Sequence, residues 1–190
     1  LLNGIFAIEV DHNNPDIAFF ESGGSVYKTI DGGENWLIIG DASFQSQSHN
    51  VKDIVMSPED SDLIYLSSNN GLYRTTDGGS NWIQIASGEY QEIEIHPANS
   101  SIVYAIKVIG DYTEFHKSID GGMSFTSQTS GWPSPQQAGD HQRRVEIAVT
   151  PADPNLVYAN ATGSANGGSG TYGIYKSSDA GATWRFQCCG

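Results

Sequence analysis

The sequence predicts an all-β fold made of four copies of a four-stranded antiparallel sheet, and three observations support this prediction. An eight-residue phrase occurs four times, beginning at Thr29, Thr75, Ser118 and Ser177. Strand-like segments flank each copy in the same order. The aspartates of successive phrases lie 46, 43 and 59 residues apart. Four-stranded units that recur at about 40–50 residues are typical of β-propeller blades.

The repeated phrase, which we name the Asp turn, has a physical role in reversing the chain. It reads Ser or Thr, any residue, Asp, any residue, Gly, any residue, a small polar residue, and Trp or Phe. The aspartate accepts hydrogen bonds from backbone N–H groups just ahead of it, and the glycine permits a positive φ. The aromatic residue begins the next strand. We therefore predict structural roles for Asp31, Gly33, Trp36, Asp77, Gly79, Trp82, Asp120, Gly122, Phe125, Asp179, Gly181 and Trp184.

Each unit is predicted to contain four short strands. Apolar residues two positions apart, such as Ile8 and Val10, mark one face of the first strand. A polar corner joins the first two strands, and the Asp turn joins the last two. We predict one propeller segment over residues 1–190, with blades at about 5–40, 51–86, 91–128 and 144–187.

One four-stranded sheet buries too little surface to fold alone, so blades of this kind pack face to face. We expect a partial ring, with exposed blade faces where further blades of the same chain would pack. The alternative is a compact ring closed by four blades.

Composition excludes several classes of partner. The chain has 9 Lys and Arg residues against 22 Asp and Glu residues, which gives a net charge of −13. Nucleic acids and anionic membranes bind basic surfaces, so neither is expected as a partner. No apolar run approaches the roughly 20 residues of a membrane-spanning helix. The only cysteines, Cys188 and Cys189, are adjacent, and we expect them to pair with a segment not present here or to be free.

The Asp turn resembles the Asp-box, also named the BNR repeat. The strand before the turn carries the resemblance further, for example in Ile174-Tyr175-Lys176-Ser177. The resemblance covers nearly the whole chain and implies a propeller similar to those of sortilin-type receptors and glycoside hydrolase family 74. It also implies that the Asp-boxes lie at the blade periphery, away from the ligand cleft.

The sequence matches two enzyme families with Asp-box propellers to different extents. Sialidases hold a carboxylate with three arginines, whereas Arg74 and Arg185 here belong to the repeat pattern, so no such triad remains. The segment Val10-Asp11-His12, with Gly23-Gly24 after it, resembles the opening blade of family 74. The acidic residue that family 74 carries before its Gly-Gly aligns with Ser22, and Glu21 is one place away.

The candidate site is the face where the long loops are predicted to meet, at about residues 126–143, 161–173 and around residue 111. Loops on a rigid scaffold commonly carry binding residues. The predicted ligand-binding residues are Trp132, Tyr112, Tyr172, His141 and Arg143, and the weak catalytic candidates are Glu21, Asp111 and Asp140. The competing interpretation is that the aromatic residues pack their own loops and the charged residues are solvated.

We therefore expect a non-catalytic binding or scaffold module of a secreted or cell-surface protein, with a protein or glycan ligand on the long-loop face. The alternative is part of a polysaccharide-active hydrolase whose cleft is completed by further blades. We expect no cofactor and no metal. Residues 11–16 and 59–62 offer oxygen ligands for Ca²⁺, but polar corner turns explain them better.

Overall fold

The computed structural model describes residues 5–45, 47, 49–133, 141–165 and 168–188. Within these ranges it contains sixteen β-strands and one single-turn helix. The prediction of an all-β fold with four-stranded repeats is confirmed.

The strands follow the repeat order. The first two sheets contain β1 (Ile5–Val10), β2 (Ala18–Ser22), β3 (Ser25–Thr29) and β4 (Leu37–Ile38), then β5 (Val51–Met56), β6 (Ile64–Ser68), β7 (Gly71–Thr75) and β8 (Ile83–Ser87). The other two contain β9 (Tyr90–Ile95), β10 (Val103–Ile109), β11 (Tyr112–Ser118) and β12 (Thr126–Ser127), then β13 (His141–Val149), β14 (Val157–Ala165), β15 (Gly168–Ser177) and β16 (Arg185–Cys188). The helix α1 (Ala42–Gln45) follows the first sheet.

Each sheet is a meander in which strands that are neighbours in sequence are also neighbours in space. The orders are β1-β2-β3-β4, β5-β6-β7-β8, β12-β11-β10-β9 and β13-β14-β15-β16. By their contacts the residues form two compact units, Leu1–Ile95 and His96–Gly190.

The hairpin of β14 and β15 differs from the sequence-based expectation. Residues 161–173 were expected to form a long loop, but the strands continue through this region. Thr162 pairs with Thr171 and Ala165 pairs with Gly168, after a register shift at Ala161. Backbone pairing needs no apolar side chain, so a stretch rich in Gly and Ser extends the ladder without the alternating pattern that predicts a strand.

The Asp turn is held by its own side chains. In the second copy Thr75 Oγ1 donates to Asp77 Oδ1 at 2.7 Å and accepts the Gly79 N–H at 3.1 Å. Asp77 Oδ1 and Oδ2 accept the backbone and side-chain N–H groups of Asn81 at 2.9 and 2.7 Å. The other three copies repeat this network, with Ser124 and Thr183 donating a hydroxyl in place of the asparagine amide.

These hydrogen bonds fix the charge state of the turn. The donors stabilise the ionised carboxylate, and they hold the pKa of Asp31, Asp77, Asp120 and Asp179 at about 2. In every copy the two residues after the aspartate have positive φ. Ala180 takes the first of these places with φ 53°, where the other copies have glycine, so this turn accepts a left-handed alanine.

The core of each unit lies between two successive sheets. In the first unit Phe19 and Val26 belong to the same buried cluster as Ile54 and Leu66 of the next sheet. In the second unit Tyr104, Ile106 and Phe115 share a cluster with Ile147 and Val157. Burial of these apolar faces against each other stabilises the pairs of sheets.

The apolar face of β1 is exposed, unlike the equivalent face of β5. Ile8 is 66% exposed, whereas Ile54, at the same place in the second repeat, is 2% exposed. Val10 is 47% exposed, whereas the equivalent Met56 is 2% exposed. An apolar face is therefore uncovered in the first blade, as expected for a segment of a larger ring.

Substitution of Thr75 by Val tests the network of the Asp turn. The change removes the buried hydroxyl and leaves the Gly79 N–H without its acceptor, so we expect a loss of about 1–3 kcal/mol in the free energy of unfolding. The neighbouring Thr76→Val is the matched control, because Thr76 is exposed and its change should cost less than about 0.5 kcal/mol. If a urea titration shows equal losses of unfolding free energy for the two variants, the structural role of the Thr75 hydroxyl is contradicted.

Candidate functional site

The tip of the β10–β11 hairpin presents an aromatic and an acidic residue on the surface of the second unit. Ile109 pairs with Tyr112, and the two-residue turn between them consists of Gly110, with φ 62°, and Asp111. Both turn residues are exposed, and Tyr112 is 36% exposed. A left-handed glycine favours such a tight hairpin turn.

The tip is held from below by Gln142 of β13, which is fully buried. Gln142 Oε1 accepts hydrogen bonds from the backbone and hydroxyl of Thr113 at 3.1 and 3.0 Å. The Gln142 N–H donates to the Asp111 carbonyl at 2.7 Å. Strand β13 therefore fixes the hairpin on both sides of Tyr112.

Trp132, predicted as a ligand-stacking residue, lies in the core instead. Its ring packs against Phe115 and Trp184, with centroid distances of 5.4 and 4.8 Å, and only 8% of the residue is exposed. Trp132 Nε1 donates to the Thr113 carbonyl at 2.9 Å. The side chain thus supports the hairpin from the inside and leaves no ring face for a ligand.

The remaining predicted ligand-binding residues have different positions. Tyr172 is half-buried and packs against the core of the second unit. His141 and Arg143 belong to β13, but their side chains lie outside the described residues, as does the whole of Asp140. Of the predicted residues, the structure brings Tyr112 and Asp111 together at one exposed tip, with Trp132 beneath them.

Glu21, a weak catalytic candidate, is buried at the β2–β3 hairpin. Its Oε1 accepts the Gly24 N–H at 2.9 Å, and only 3% of the residue is exposed. A Cβ at Gly24 would lie 2.9 Å from the His49 carbonyl, so the chain passes closely here. The carboxylate therefore has a structural partner within its own turn.

A second group of carboxyls, which the sequence did not reveal, lies on the first strands of the repeats in the first unit. Glu9 on β1 accepts the Met56 N–H of β5 at 3.2 Å. Asp53 on β5 accepts the Ile93 N–H of β9 at 3.2 Å. Burial, and then the charges of Asp53 and Glu9, raise the pKa of Glu94 to about 8. This carboxyl is therefore largely protonated at neutral pH.

The sequence contained a weak signal for this group. Glu9 and Glu94 occupy the same place in the first and third repeats, each between two apolar residues of a first strand. The contact with Asp53 depends on the packing of β9 against β5, which one repeat alone does not show. Burial raises the pKa of Glu9 as well, and His12 Nε2 lies 3.5 Å from its carboxylate and lowers the pKa.

Neither a metal-binding cluster nor a membrane-spanning helix is present among the described residues. These residues contain no group of three or more His, Cys, Asp or Glu side chains placed to hold a metal ion. At the corner considered for Ca²⁺, Asp11 Oδ1 accepts the backbone N–H groups of Asn13 and Asn14 at 2.7 and 3.1 Å. No described helix has the length and hydropathy needed to cross a bilayer.

Comparison with solved structures establishes the fold. An ancestral GH74 enzyme superposes on 98% of this chain with a TM-score of 0.79 and 20% sequence identity. The chain is a segment of a β-propeller. The GH74 xyloglucanase from Xanthomonas campestris matches this propeller segment over 98% of its length, with a TM-score of 0.76 and 17% identity. The segment spans only 24% and 30% of those two chains.

A putative TolB from Agrobacterium tumefaciens is also similar to the propeller segment. The match covers 99% of the segment and 63% of the TolB chain, with a TM-score of 0.66 and 13% sequence identity. No protein-family model matches the sequence, and no curated protein matches it. At these identities the likeness establishes the fold alone.

Substitution of Trp132 by Ala tests whether this residue is a core support or a surface contact. Because the ring is buried between Phe115 and Trp184, we expect a loss of about 3–5 kcal/mol in the free energy of unfolding. Tyr112→Ala, at the exposed tip, is the control and should cost less than about 1 kcal/mol. A Trp132→Ala protein as stable to urea as the wild type would contradict the core position.

Substitution of Glu94 by Gln tests the carboxyl group of the first strands. The folded pKa of about 8 exceeds the unfolded value, so the stability due to this group is present below about pH 4.5 and is lost as pH rises through about 8. We expect the unfolding temperature of the wild type to fall from about pH 5 to about pH 9, and Glu94→Gln to remove much of that fall. The exposed Glu34→Gln is the control and should leave the pH profile unchanged. Parallel profiles for Glu94→Gln and the wild type would refute the raised pKa.

Proposed function

We propose that this propeller segment is a non-catalytic binding or scaffold module of a secreted or cell-surface protein, with a protein or glycan ligand on the β10–β11 hairpin tip. The observation that carries the proposal is an exposed tyrosine on a rigidly supported turn. Gln142 and Trp132 hold Thr113, the residue next to Tyr112, with three side-chain hydrogen bonds.

The chemistry of the tip suits recognition. A tyrosine offers a flat apolar ring and a polar hydroxyl, and it loses little conformational entropy when it is immobilised. A support that is already ordered lowers the cost of binding. Asp111 adds a carboxylate at the exposed turn, next to Tyr112 in the chain. The other described two-residue hairpin turns are followed by Ser25 and Gly71, so the aromatic is particular to this blade.

The net charge and a disulfide bond support the proposal of a binding module from a secreted or cell-surface protein. A net charge of −13 favours neutral or basic partners and disfavours nucleic acid and anionic lipid. Cys188 is disulfide-bonded within this chain, so the expectation of a free thiol or of a partner outside it was wrong. Disulfides are typical of an oxidising compartment, and this bond supports a secreted or cell-surface location. The resemblance of the Asp turn to the Asp-box also supports a propeller whose turns are structural and whose ligands bind elsewhere.

Proteins of similar structure act on or bind two kinds of molecule. The GH74 protein from Xanthomonas campestris is a xyloglucanase, and YCF48, which matches with a TM-score of 0.52 and 13% identity, binds a D1 peptide. A glycan and a peptide are therefore both reasonable ligand classes for the tip.

The second candidate is part of a polysaccharide hydrolase, and one observation favours it. Glu94 has a pKa of about 8 and lies near the carboxylates of Asp53 and Glu9. A protonated carboxyl beside an ionised one is the pair that glycoside hydrolysis uses as acid and base or nucleophile. The further blades would then complete the cleft around this pair.

Affinity electrophoresis in gels that contain xyloglucan tests the glycan form of the proposal. We expect the polymer to retard the wild-type chain, and Tyr112→Ala to weaken retardation on the order of tenfold, because stacking contributes about 1–3 kcal/mol. Tyr158→Ala, which removes another exposed tyrosine of the same unit, is the matched control and should bind as the wild type does. A polymer that does not retard the wild type would exclude this ligand.

Release of reducing sugar ends from xyloglucan distinguishes the two candidates. If the tip is a binding site only, we expect none from this chain and none from the polypeptide isolated from its natural source, in which any further blades are present. Release that is lost in Glu94→Gln and retained in Tyr112→Ala would replace the binding proposal with the hydrolase.

A further inference from the structure

A lysine of one sheet contacts the Asp turn of the next sheet in each of the two units. In the first unit Lys28 Nζ donates to the Gly78 carbonyl at 3.0 Å. In the second unit Lys117 Nζ donates to the Ala180 carbonyl at 2.8 Å. Lys28 and Lys117 occupy the same place in their repeats, because each directly precedes the hydroxyl residue that begins an Asp turn. Gly78 and Ala180 each directly follow an Asp-turn aspartate.

An aromatic ring completes each of these contacts. Lys28 Nζ lies 5.2 Å from the centroid of Phe19, and Lys117 Nζ lies 5.9 Å from that of Tyr104. Both rings are fully buried. The ammonium group is therefore held between an aromatic face on its own sheet and a carbonyl on the next sheet, which are two favourable partners for a cation.

The carbonyl belongs to a residue that the turn holds in a left-handed conformation, with φ 66° at Gly78 and 53° at Ala180. Burial lowers the pKa of Lys117, and the charge of Asp179 in the neighbouring turn opposes this shift. The contact thus joins two blades through a charged group that is partly removed from water. We name this arrangement the lysine latch: a lysine, the ring beneath it, and the Asp-turn carbonyl of the following blade.

The fourth blade carries the donor half of a lysine latch. Lys176 occupies the place of Lys28 and Lys117, and its Nζ lies 5.6 Å from the centroid of Tyr158, which occupies the place of Phe19 and Tyr104. Tyr158 is 41% exposed, whereas its two equivalents are 0% exposed. Among the described residues Lys176 has no hydrogen-bond acceptor, so the pair lies on an uncovered face.

The first blade shows the complementary half. Gly32 and Gly33 of its Asp turn are exposed, whereas Gly78 and Gly79, and Ala180 and Gly181, are buried. Together with the exposed Ile8 and Val10, these glycines form an uncovered face of the first blade.

We propose that the surface of Lys176 and Tyr158 is the docking site for a further propeller blade of the same polypeptide, and that its Asp-turn carbonyl accepts the Lys176 ammonium. The two lysine latches in the structure indicate the chemistry of the partner, because Lys176 occupies the same place as their lysines. The partner should offer the carbonyl of a left-handed turn residue beside an apolar sheet face. The segment covers 24–30% of the GH74 chains that it resembles, which leaves room for such a blade in proteins of this architecture.

Acylation of lysine amines, followed by mass spectrometry of each lysine, tests the proposal. The experiment compares the polypeptide isolated from its natural source with the 190-residue chain, and uses N-hydroxysuccinimidyl acetate as the probe. Lys52 is the reference amine, and Lys28 and Lys117 report latched lysines. In the natural protein we expect Lys176 to react as slowly as Lys117, on the order of tenfold below Lys52, because the ammonium must leave its acceptor before it reacts.

The 190-residue chain supplies the contrast. There we expect Lys176 to react as fast as Lys52 at every protein concentration, while Lys28 and Lys117 remain slow. Fast reaction of Lys176 in the natural protein would overturn the proposal. Protection of Lys176 in the 190-residue chain would overturn the proposal too. Protection that rises with protein concentration would indicate that a second copy covers Lys176. Protection that does not depend on concentration would indicate that the four blades close on themselves.

Three variants give an independent readout. Lys117→Met should lower the unfolding temperature of both the natural protein and the 190-residue chain, by roughly 2–4 °C for each kcal/mol lost. Lys176→Met should lower it in the natural protein alone, and Lys52→Met in neither. Equal unfolding temperatures for Lys176→Met and wild-type natural protein would contradict the docking site, whatever the ligand of the Tyr112 tip.

Discussion

The hydroxyl group that begins each Asp turn links the local chain reversal to the assembly of the sheets. Thr75 Oγ1 donates to Asp77 and accepts the Gly79 N–H, so side chains of the turn satisfy several of its polar groups. The Gly78 N–H donates to the Asp62 carbonyl at 3.1 Å, which joins the turn to the corner between the first two strands of its blade. The turn then keeps two successive residues at positive φ, and the carbonyl of the first, Gly78, receives Lys28 of the preceding sheet. The same few residues therefore determine the hairpin and its contact with the neighbouring blade. This explains why the phrase recurs with so little variation while the strands around it change.

The regular part of the fold could be predicted because it depends on short-range chemistry that is repeated four times. Hydroxyl, aspartate, glycine and aromatic lie within eight residues, and their spacing alone indicates the turn. The extension of β14 and β15 could not be predicted, because Thr162 and Thr171 pair through backbone groups that leave no pattern in the side chains. Trp132 was misplaced for a different reason. Its depth depends on Trp184, which lies more than fifty residues later and covers it.

The surface position of some candidate residues could be predicted from the sequence, and that of others could not. Tyr112 and Asp111 are exposed as expected, because a glycine-containing hairpin turn exposes its own residues whatever surrounds it. Glu94 was not identified, because its pKa depends on Asp53 and Glu9, which lie on strands of two other repeats. Each of these acids alone resembles an ordinary polar residue of a half-buried strand. Only the packing of β9 against β5 makes the group unusual.

The acidic side chains of this propeller segment fall into two groups, those that belong to the Asp turns and those that do not. The Asp-turn carboxylates are surrounded by donors of their own turns, so their charge is stabilised and they are poor proton acceptors. Glu21 is likewise engaged by its hairpin. The acidic group with unusual proton affinity, Glu94, and the tip formed by Asp111 and Tyr112 both lie outside the repeated phrase. Because the repeat fixes the blades by chemistry that does not involve these positions, they can differ from blade to blade without loss of the fold. A function specific to this chain is therefore expected at such positions.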